Sequence, residues 1–510
     1  MTSKNEFYLY LIFSLLITIF WSIGFFSSWN ADYSLYYGGS MFNSDDYKLY
    51  ENHFTHKGPV YYFFINIIGK IFGWGGKKIV LPILVTVFLY LMSGYFLFKS
   101  FVPNKKFIFI LFMSLVSTLS YQNYNAAISY FQFSNFFFSL TFLILSFKRK
   151  NIFYLFLAIV FFNLAYLTRF DAVVFAPLFV ISIYYLNKNS YKILNIIAFI
   201  LISYLINIFF SNYYDYSFSL FFEHNYLFNK WYRDNYFALN PFTFLHRASN
   251  LFLFLSSGLG VLFFILVSNI KNYKLFKINI KDILKLKKNK YLIKSKNKPE
   301  IIFLFMASVI FLFIWLYSAS DKSYHGLPLH MGILLLITSL FINKKIKFSN
   351  FYVTPLVLLI IYSLFATSLK PALHFLSDVN CIEKLSCKKL KKKISKSTMS
   401  DLLKVEKAAI IGGDGWPFIL SGTPPMLSIN NWIPYETVYY ETAAWRMHDK
   451  FNLTKKNLTI WISKSLVDRN YQEFPHHGHS LDNKNLKKIL EKSKVIEDQG
   501  RYLKYLINNY

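Results

Sequence analysis

The sequence predicts an α-helical polytopic membrane protein with about eleven transmembrane helices, interfacial helices in the first outer loop and a small extracytoplasmic α/β domain at the C-terminus. Of the 510 residues, 55% are hydrophobic and 16% are charged, whereas soluble domains carry about 25% charged residues. The hydrophobic residues also cluster in long runs. This composition excludes a disordered protein, a fibrous protein and a disulfide scaffold, and it disfavours a soluble multidomain enzyme.

The transmembrane helices are predicted from apolar runs, because about 20 apolar residues in a helix cross the hydrocarbon core of a bilayer. The first run is interpreted as an uncleaved anchor, since it is longer than the apolar part of a signal peptide and no small-x-small cleavage site follows it. A further run at 59–73 begins at Pro59 and is interrupted by Lys70, which predicts an interfacial helix rather than a span. The predicted spans lie near 8–28, 79–99, 107–121, 132–147, 152–167, 170–186, 191–210, 250–270, 300–317, 326–343 and 350–368.

Lysine and arginine determine the predicted orientation, because cytoplasmic loops carry an excess of both. With the N-terminus inside and 59–73 not crossing, the basic short loops fall in the cytoplasm, as does 271–298 with its eleven lysines and one acid. The C-terminus is then outside, and the large outer parts are 29–78, 211–249 and 371–510. The formal net charge of +30 is therefore mostly topogenic, and no nucleic-acid partner is predicted.

Two domains follow from this topology. The first is a membrane domain at 1–370, which includes the outer loop 29–78, and the second is an extracytoplasmic domain at 371–510. In the second domain, 407–411 is predicted as a strand and 412–415 as its turn, which favours a small α/β domain.

The cysteines and clustered histidines of the sequence lie in this C-terminal domain. Cys381 and Cys387 either form a local disulfide or remain free thiols, and both alternatives stay open. His476, His477 and His479 lie close in sequence, but they lack a fourth ligand and helical spacing. No metal site is therefore predicted there.

The predicted topology places two charged residues, Asp32 and Lys57, at the outer edge of the membrane. Asp32 follows the first span and is either a general base within reach of membrane-embedded substrates or an acid that only ends a helix. Lys57 precedes the helix that begins at Pro59. An ammonium beside a helix N-terminus forms an anion site suited to a lipid phosphate, and the alternative is a snorkelling lysine.

Further candidate residues are charged or aromatic. Arg169 lies with Asp171 between two apolar runs, where it either binds a phosphate or forms an ion pair at a turn. Five tyrosines of the first outer loop are candidates for sugar stacking or for a lipid groove, with an interfacial aromatic belt as the simpler interpretation; they are Tyr33, Tyr36, Tyr37, Tyr47 and Tyr50. In 211–249, the residues that either contact an acceptor or lie on solvated helix faces are Glu223, His224, Arg233 and Asp234.

These motifs together resemble the polytopic glycosyltransferases of fold type C (GT-C), in particular the branch of protein O-mannosyltransferases and lipid A aminoarabinose transferases. That branch has an acid after the first span, then a tyrosine-rich stretch, then a His-Lys-Pro-Pro-like motif that opens an interfacial helix. The counterparts here are Asp32, the stretch 47–51 and the motif 56–59. Arg169 resembles the basic residue of the family at a tight turn between spans, and 324–328 resembles its short outer His-x-x-x-Pro-like segment.

The resemblance implies an inverting glycosyltransferase that moves a sugar from a polyprenyl-phosphate donor to a lipid, glycan or protein acceptor on the outer face of the membrane. It implies that Asp32 is the catalytic base and that Lys57, Arg169 and His325 bind the donor phosphate. The further candidate substrate contacts are Tyr33, Asp46, Glu51 and His56. A basic composition rich in Asn, Ile and Phe is typical, through codon bias, of an AT-rich bacterial genome, so the predicted location is the bacterial inner membrane, with the C-terminal domain periplasmic.

This sequence departs from the family pattern at three places. Tyr33 stands where the family often has Glu, and Gly58 stands where Pro is common. The second outer loop, 122–131, contains no acid, which leaves the second acidic catalytic residue unassigned. No cofactor is assigned, and participation of a divalent metal is left open.

Two other functions compete with the enzyme. One is a transporter or flippase for lipid-linked sugars, although the sequence shows neither the internal repeat nor the paired Gly- or Pro-broken spans typical of transporters. The other is a non-catalytic component of envelope polysaccharide export, which would tolerate loss of Asp32.

Overall fold

The helices and strands are taken from a computed structural model of the chain. It describes residues 3–26, 36–37, 40, 49–50, 57–74, 78, 80–102, 105–120, 126–186, 191–227, 229–230, 298–317, 327–341, 409–411, 427–429, 458–463, 494–499 and 502–507. The chain divides into two compact units. Unit 1 comprises Met1–Ser22, Thr86–Ile208 and Asn229–Lys370, and unit 2 comprises Ile23–Val85, Phe209–Phe228 and Pro371–Tyr510.

The described part of the chain is mostly helical. Its α-helices, in chain order α1 to α11, are Ser3–Phe26, Pro59–Phe72, Leu81–Phe101, Lys105–Ser117, Ala126–Arg149, Ile152–Thr168, Ala176–Leu186, Lys192–Tyr214, Phe218–Phe222, Lys298–Tyr317 and Leu327–Phe341. A 3-10 helix at Phe170–Phe175 precedes α7, and a π-helical turn at Glu223–Leu227 follows α9. All predicted spans except 250–270 and 350–368, which lie outside the described residues, coincide with a helix, and the helix predicted at 59–73 is α2.

Within the described part, four helices are long and apolar enough to cross a membrane; they are Asn5–Ser22, Leu81–Phe101, Ala127–Arg149 and Lys192–Tyr214. Apolar side chains along α8 are exposed rather than buried, among them Ile193, Leu194, Ile197, Ile200, Leu201 and Leu205. Exposed apolar faces of this length indicate contact with lipid. The chain is therefore an integral membrane protein, whereas the number of eleven spans remains a prediction, because helices such as α4 have only 13 residues.

Unit 1 is packed largely through aromatic side chains, as expected for a sequence with 58 Phe and 39 Tyr residues. On the buried face of α1, Tyr10 stacks on Tyr95 of α3 with ring centroids 4.3 Å apart. Further along α1, Trp21 Nε1 donates a hydrogen bond of 2.6 Å to the Leu119 carbonyl. Rings with one polar atom can thus fill the interior while their N–H or O–H group stays satisfied.

The helices α5 and α6 form a tight antiparallel hairpin. Lys150 adopts a left-handed backbone conformation with φ of 49°, and the Asn151 side chain caps α6 by accepting a hydrogen bond of 2.8 Å from the Phe153 N–H. Across the hairpin, Ser139 Oγ donates to the Ala158 carbonyl at 2.7 Å. A small residue at position 158 permits this close approach of the two backbones. Because the turn is short, the start of α5 lies beside the end of α6.

In unit 2, α2 packs against the C-terminal end of α8. The ring of Phe63 meets Phe209, Phe210 and Tyr213 edge-on, with the Tyr213 centroid 5.0 Å away. Asn66 is buried in α2, where its Nδ2 donates to the Ser40 carbonyl at 2.6 Å and its Oδ1 accepts from Tyr213. The polar side chain thus joins α2, α8 and the segment that contains Ser40.

Unit 2 also contains a five-stranded mixed sheet formed by the C-terminal part of the chain. The strands are β1 Ala409–Ile411, β2 Leu427–Ile429, β3 Leu458–Ser463, β4 Lys494–Gln499 and β5 Tyr502–Ile507, in the order β2-β1-β3-β5-β4. β1 pairs parallel with β2 and β3, while β5 pairs antiparallel with β3 and β4. The strand predicted at 407–411 is observed as β1, whereas the division at 370 and the α/β character of the tail remain predictions.

Candidate functional site

Arg169 lies at the point where α6 stops. Its backbone is extended, with φ of −147° and ψ of 127°, and its N–H donates the last helical hydrogen bond, 3.2 Å to the Ala165 carbonyl. The 3-10 helix Phe170–Phe175 then begins, with Asp171 in its first turn. This break in the helix places two charged side chains at one end of the α5–α6 hairpin.

The Arg169 side chain is held by two neighbours, Asp171 and Ser129, and Gln132 contacts the Arg169 backbone and Asp171. Its Nη2 lies 3.0 Å from Asp171 Oδ2, and the two side chains are only 20% and 32% exposed. Its Nη1 donates to Ser129 Oγ at 2.6 Å. Gln132 Nε2 donates to Asp171 Oδ1 and lies 3.4 Å from the Arg169 carbonyl. The ion pair that the sequence left as one alternative is thus present, and a phosphate ligand would have to share the guanidinium with Asp171.

Ser129 and Gln132 were not singled out in the sequence analysis. Both lie in the first two turns of α5, three residues apart and therefore on one helix face. The hairpin brings that face to the end of α6, because α5 and α6 run antiparallel. The signal that could have found Gln132 is its polarity at the edge of an apolar run, since polar residues at membrane depth commonly face a partner or a cavity.

A small cavity of about 20 Å³, lined mostly by apolar side chains and partly open to solvent, adjoins this polar cluster. Its walls come from α5, the 3-10 helix, α10 and α11. Three phenylalanine rings contact one another around it at tilted angles, with centroids 4.5 Å apart for Phe136–Phe175 and 4.6 Å for Phe175–Phe311. The apolar lining consists of Phe133, Phe136, Ala172, Phe175, Phe311, Ile314, Leu327 and Pro328.

The cavity therefore combines a guanidinium at its edge with a wall of aromatic and aliphatic side chains. A charged donor to phosphate forms a strong hydrogen bond, and apolar side chains offer dispersion contacts to the part of a hydrocarbon chain next to the phosphate. A ligand with one anionic end and an apolar body matches both features. We call this site, defined by the eleven residues that line it, the Arg169 pocket.

In unit 2, Lys57 immediately precedes α2, as predicted. Gly58 is the N-cap and Pro59 occupies the first helical turn, where its missing N–H costs nothing. The Lys57 side chain is half-buried. Its backbone carbonyl accepts a hydrogen bond of 2.8 Å from the Tyr50 hydroxyl. This bond connects the residues just before α2 to the preceding loop.

Tyr50 makes this connection between the loop and the start of α2. Its backbone has φ of 70°, a left-handed conformation that is unfavourable for a large residue. The ring is buried between Tyr216 and His224, with centroid distances of 5.0 and 5.3 Å. Burial raises the pKa of the Tyr50 hydroxyl well above its usual value, and the proximity of Tyr216 adds to the rise. The hydroxyl therefore stays protonated and remains a donor to the Lys57 carbonyl.

The packing bears on several alternatives that the sequence left open for aromatic and polar residues. Tyr36, Tyr37 and Tyr50 are buried. Tyr36 packs against Tyr61 and Tyr62, and Tyr37 packs edge-on against Trp74. His224 is also buried, which excludes a solvated helix face for it. The sequence could not show this burial, because residue spacing does not reveal which neighbouring helix covers a side chain.

Glu223 lies in the π-helical turn and is partly exposed, so it keeps both alternatives that the sequence left open. The other predicted site residues lie outside the described residues. They are Asp32, Tyr33, Asp46, Glu51, His56 and His325, together with Tyr47, Arg233, Asp234, Cys381, Cys387 and the histidines at 476, 477 and 479. Their roles remain predictions. Within the described ranges, no group of three or more His, Cys, Asp or Glu residues lies together in a way that could hold a metal ion.

Comparisons with known proteins add little. Neither a scan of protein-family profiles nor a search of curated protein sequences finds a match. Among solved structures, the Archaeoglobus fulgidus oligosaccharyltransferase AglB in complex with an inhibitory peptide and a dolichol-phosphate aligns at 12% identity with a TM-score of 0.36. The apo form of that enzyme aligns at 13% identity with a TM-score of 0.39. A form tethered to an acceptor peptide containing the NVT sequon aligns at 12% identity with a TM-score of 0.37.

Each of these alignments covers 91% of this chain and 70% of the other. The TM-scores are below 0.5 and the identities are very low, so the alignments do not establish a shared fold.

Proposed function

We propose that the protein is an inverting membrane glycosyltransferase of the GT-C type, which moves a hexosyl or pentosyl group from a polyprenyl phosphate such as undecaprenyl phosphate. The acceptor is an envelope lipid, glycan or protein at the outer face of a bacterial inner membrane. The observation that carries the proposal is the Arg169 pocket, where a guanidinium adjoins an apolar cavity walled by phenylalanines. This combination suits a lipid phosphate better than a soluble sugar or a free anion.

The reaction has three chemical requirements. The acceptor oxygen or nitrogen attacks the anomeric carbon as its proton leaves, the bond from that carbon to the phosphate oxygen breaks, and the lipid phosphate departs with the electron pair. The anomeric carbon passes through an oxocarbenium-like state. A base is therefore needed at the acceptor, and positive charge is needed where the phosphate becomes more negative.

We assign these roles to named residues. Asp32 takes the proton from the acceptor, as the resemblance of the first outer loop implies. Arg169 binds the donor phosphate, which its position at the edge of the pocket supports. Lys57 and His325 are proposed to stabilise negative charge on the same substrate, and Tyr33, Asp46, Glu51 and His56 are proposed substrate contacts.

The first experiment separates a transferase from a transporter. Purified protein in detergent micelles is incubated with a radiolabelled polyprenyl-phosphate sugar and an envelope extract as the source of acceptor. A micelle does not have two separate leaflets, so a flippase catalyses no net reaction there. A transferase still converts the donor to polyprenyl phosphate. We expect acceptor-dependent release of polyprenyl phosphate, measured by mass spectrometry.

Variants test the assigned roles in the same assay. Arg169→Gln should lower turnover roughly 100-fold, as expected for loss of one charged donor to the developing anion, and Asp32→Asn should lower it at least as much. Arg149→Gln is the matched control, because Arg149 is exposed at the other end of the same hairpin and contacts only Tyr154 among its described hydrogen bonds. Donor that stays intact with wild-type protein, or full activity of both Arg169→Gln and Asp32→Asn, would contradict the proposal.

A further inference from the structure

We infer that Asp171 makes the Arg169 pocket discriminate against dianionic phosphate, so that the pocket does not favour the spent carrier over the sugar donor. This inference rests on the proposed function, because it concerns the same lipid-phosphate site. It starts from the contact of 3.0 Å between Arg169 and Asp171, which no step of the transfer reaction requires.

The charges of the two lipid phosphates differ. A sugar linked to a polyprenyl phosphate is a phosphodiester, which carries one negative charge. The released polyprenyl phosphate is a monoester with a second pKa near 6, so it carries almost two negative charges at pH 8. A lone guanidinium would therefore bind the product more tightly than the donor, since Coulomb attraction scales with the charge of the ligand.

The Asp171 carboxylate offsets this bias. Arg169 uses Nη2 for Asp171 and Nη1 for Ser129, while a guanidinium has five N–H donors. A phosphate that binds the remaining donors would lie about 5 Å from the carboxylate, because charge-assisted hydrogen bonds to the same guanidinium are ~2.8 Å long. The repulsion energy between Asp171 and the ligand is then nearly twice as large for a dianionic monoester as for a diester, because it is proportional to the charge of the ligand.

Gln132 keeps the carboxylate in place. Its Nε2 donates to Asp171 Oδ1, so Asp171 has a partner besides Arg169 and need not swing away when a phosphate arrives. Among the described residues that line the pocket, Arg169 and Asp171 alone are titratable; α5, α10 and α11 contribute Gln132 and apolar side chains. The local charge is therefore set by this pair.

The test measures binding of two defined ligands to the full-length protein in nanodiscs. Farnesyl phosphate represents the monoester, and farnesyl methyl phosphate represents the diester. We expect the wild-type Kd values for the two ligands at pH 8 to lie within about threefold of each other, since the ion pair has no net charge. Asp171→Asn should tighten binding of the diester about threefold and of the monoester about tenfold, because repulsion energy is proportional to ligand charge and the second gain is roughly the square of the first.

Two controls distinguish an electrostatic role from a structural one. At pH 5 farnesyl phosphate is mostly monoanionic, so its gain in Asp171→Asn should fall to that of the diester. Ser129→Ala removes a hydrogen-bond partner of Arg169 without changing charge, so it should move both Kd values by the same factor. Equal gains for both ligands in Asp171→Asn at pH 8 would overturn the inference.

The wild type alone keeps the inference testable if Asp171→Asn does not fold. A wild-type protein that binds the monoester ten times more tightly than the diester at pH 8, and loses that preference at pH 5, would overturn it. Failure of the proposed function gives a different result: neither ligand would then bind to the wild type at either pH.

Discussion

Arg169 and Tyr50 show how far individual residues can be assigned from sequence. The position of Arg169 between two apolar runs marked it as unusual, because a charge near the membrane needs a partner or a cavity. The structure supplies both, an ion pair with Asp171 and the adjoining pocket. Tyr50 was a candidate for sugar or lipid contact, with an interfacial aromatic belt as the simpler interpretation, and it is buried under Tyr216 and His224. Those two neighbours are remote in sequence, and periodicity within the loop does not indicate them.

The Tyr50 hydroxyl is predicted to stabilise the segment that leads into α2, through its hydrogen bond to the Lys57 carbonyl. Tyr50→Phe removes the hydrogen bond to the Lys57 carbonyl, and we expect the free energy of unfolding to fall by about 1 kcal/mol. The measurement is the melting temperature in detergent at pH 8. Tyr191→Phe is the control, because Tyr191 is 64% exposed and its substitution should leave the melting temperature unchanged.

This stabilisation is predicted to depend on pH in one direction. Burial raises the pKa of Tyr50 above its usual value, so below pH ~10 the hydroxyl is protonated in both the folded and the unfolded chain and its contribution is complete. Above that pH the unfolded chain loses the proton first, and stability falls as pH rises. The difference in melting temperature between wild type and Tyr50→Phe should therefore be constant from pH 7 to 9 and shrink at pH 11. A difference that grows at pH 11 would contradict this account.

At the scale of helices, most elements were predictable but their ends were not. The span predicted at 132–147 is the helix Ala126–Arg149. Ser129 lies in the additional turns and Gln132 is the first residue of the predicted span, and polar residues there lower the hydropathy that marks a span. The pocket is lined by Gln132 and by residues after the break at Thr168, so Arg169 and Asp171 were singled out from the sequence whereas Gln132 was not.

The contact between α10 and α11 is predicted to depend on Gly332. A Cβ atom at this position would lie 3.0 Å from Leu312 Cγ and 3.1 Å from the Ser308 carbonyl oxygen. Gly332→Ala should therefore push α11 away from α10, which carries the Phe311 wall of the pocket, and lower the free energy of unfolding by about 1–3 kcal/mol.

The melting temperature in detergent checks this prediction. Val309→Ala on α10 is the matched control, because Val309 is exposed and its truncation should have little effect. Gly332→Ala with wild-type stability would show that the two helices do not approach as closely as described.

At the scale of the whole molecule, composition and hydropathy predicted an integral membrane protein, and four long apolar helices support it. The helix at 59–73 and a strand within 407–411 were also predicted and are present as α2 and β1. The pairing of β1 with both β2 and β3 was not predicted, because strands far apart in sequence leave no local signal of their partners. The tertiary contacts of the aromatic residues could not be predicted from the sequence either, since Phe and Tyr are abundant both in the interior and on exposed faces.

The most direct test of the central claim, that the Arg169 pocket binds a lipid phosphate, is photo-crosslinking. A prenyl phosphate with a diazirine on its first isoprene unit is added to the protein in nanodiscs, and labelled residues are identified by mass spectrometry. We predict labels at 129–136, 169–175 and 311–314, suppressed by excess farnesyl phosphate and by Arg169→Gln. Labels spread along the exposed face of α8 and unchanged in Arg169→Gln would contradict the claim.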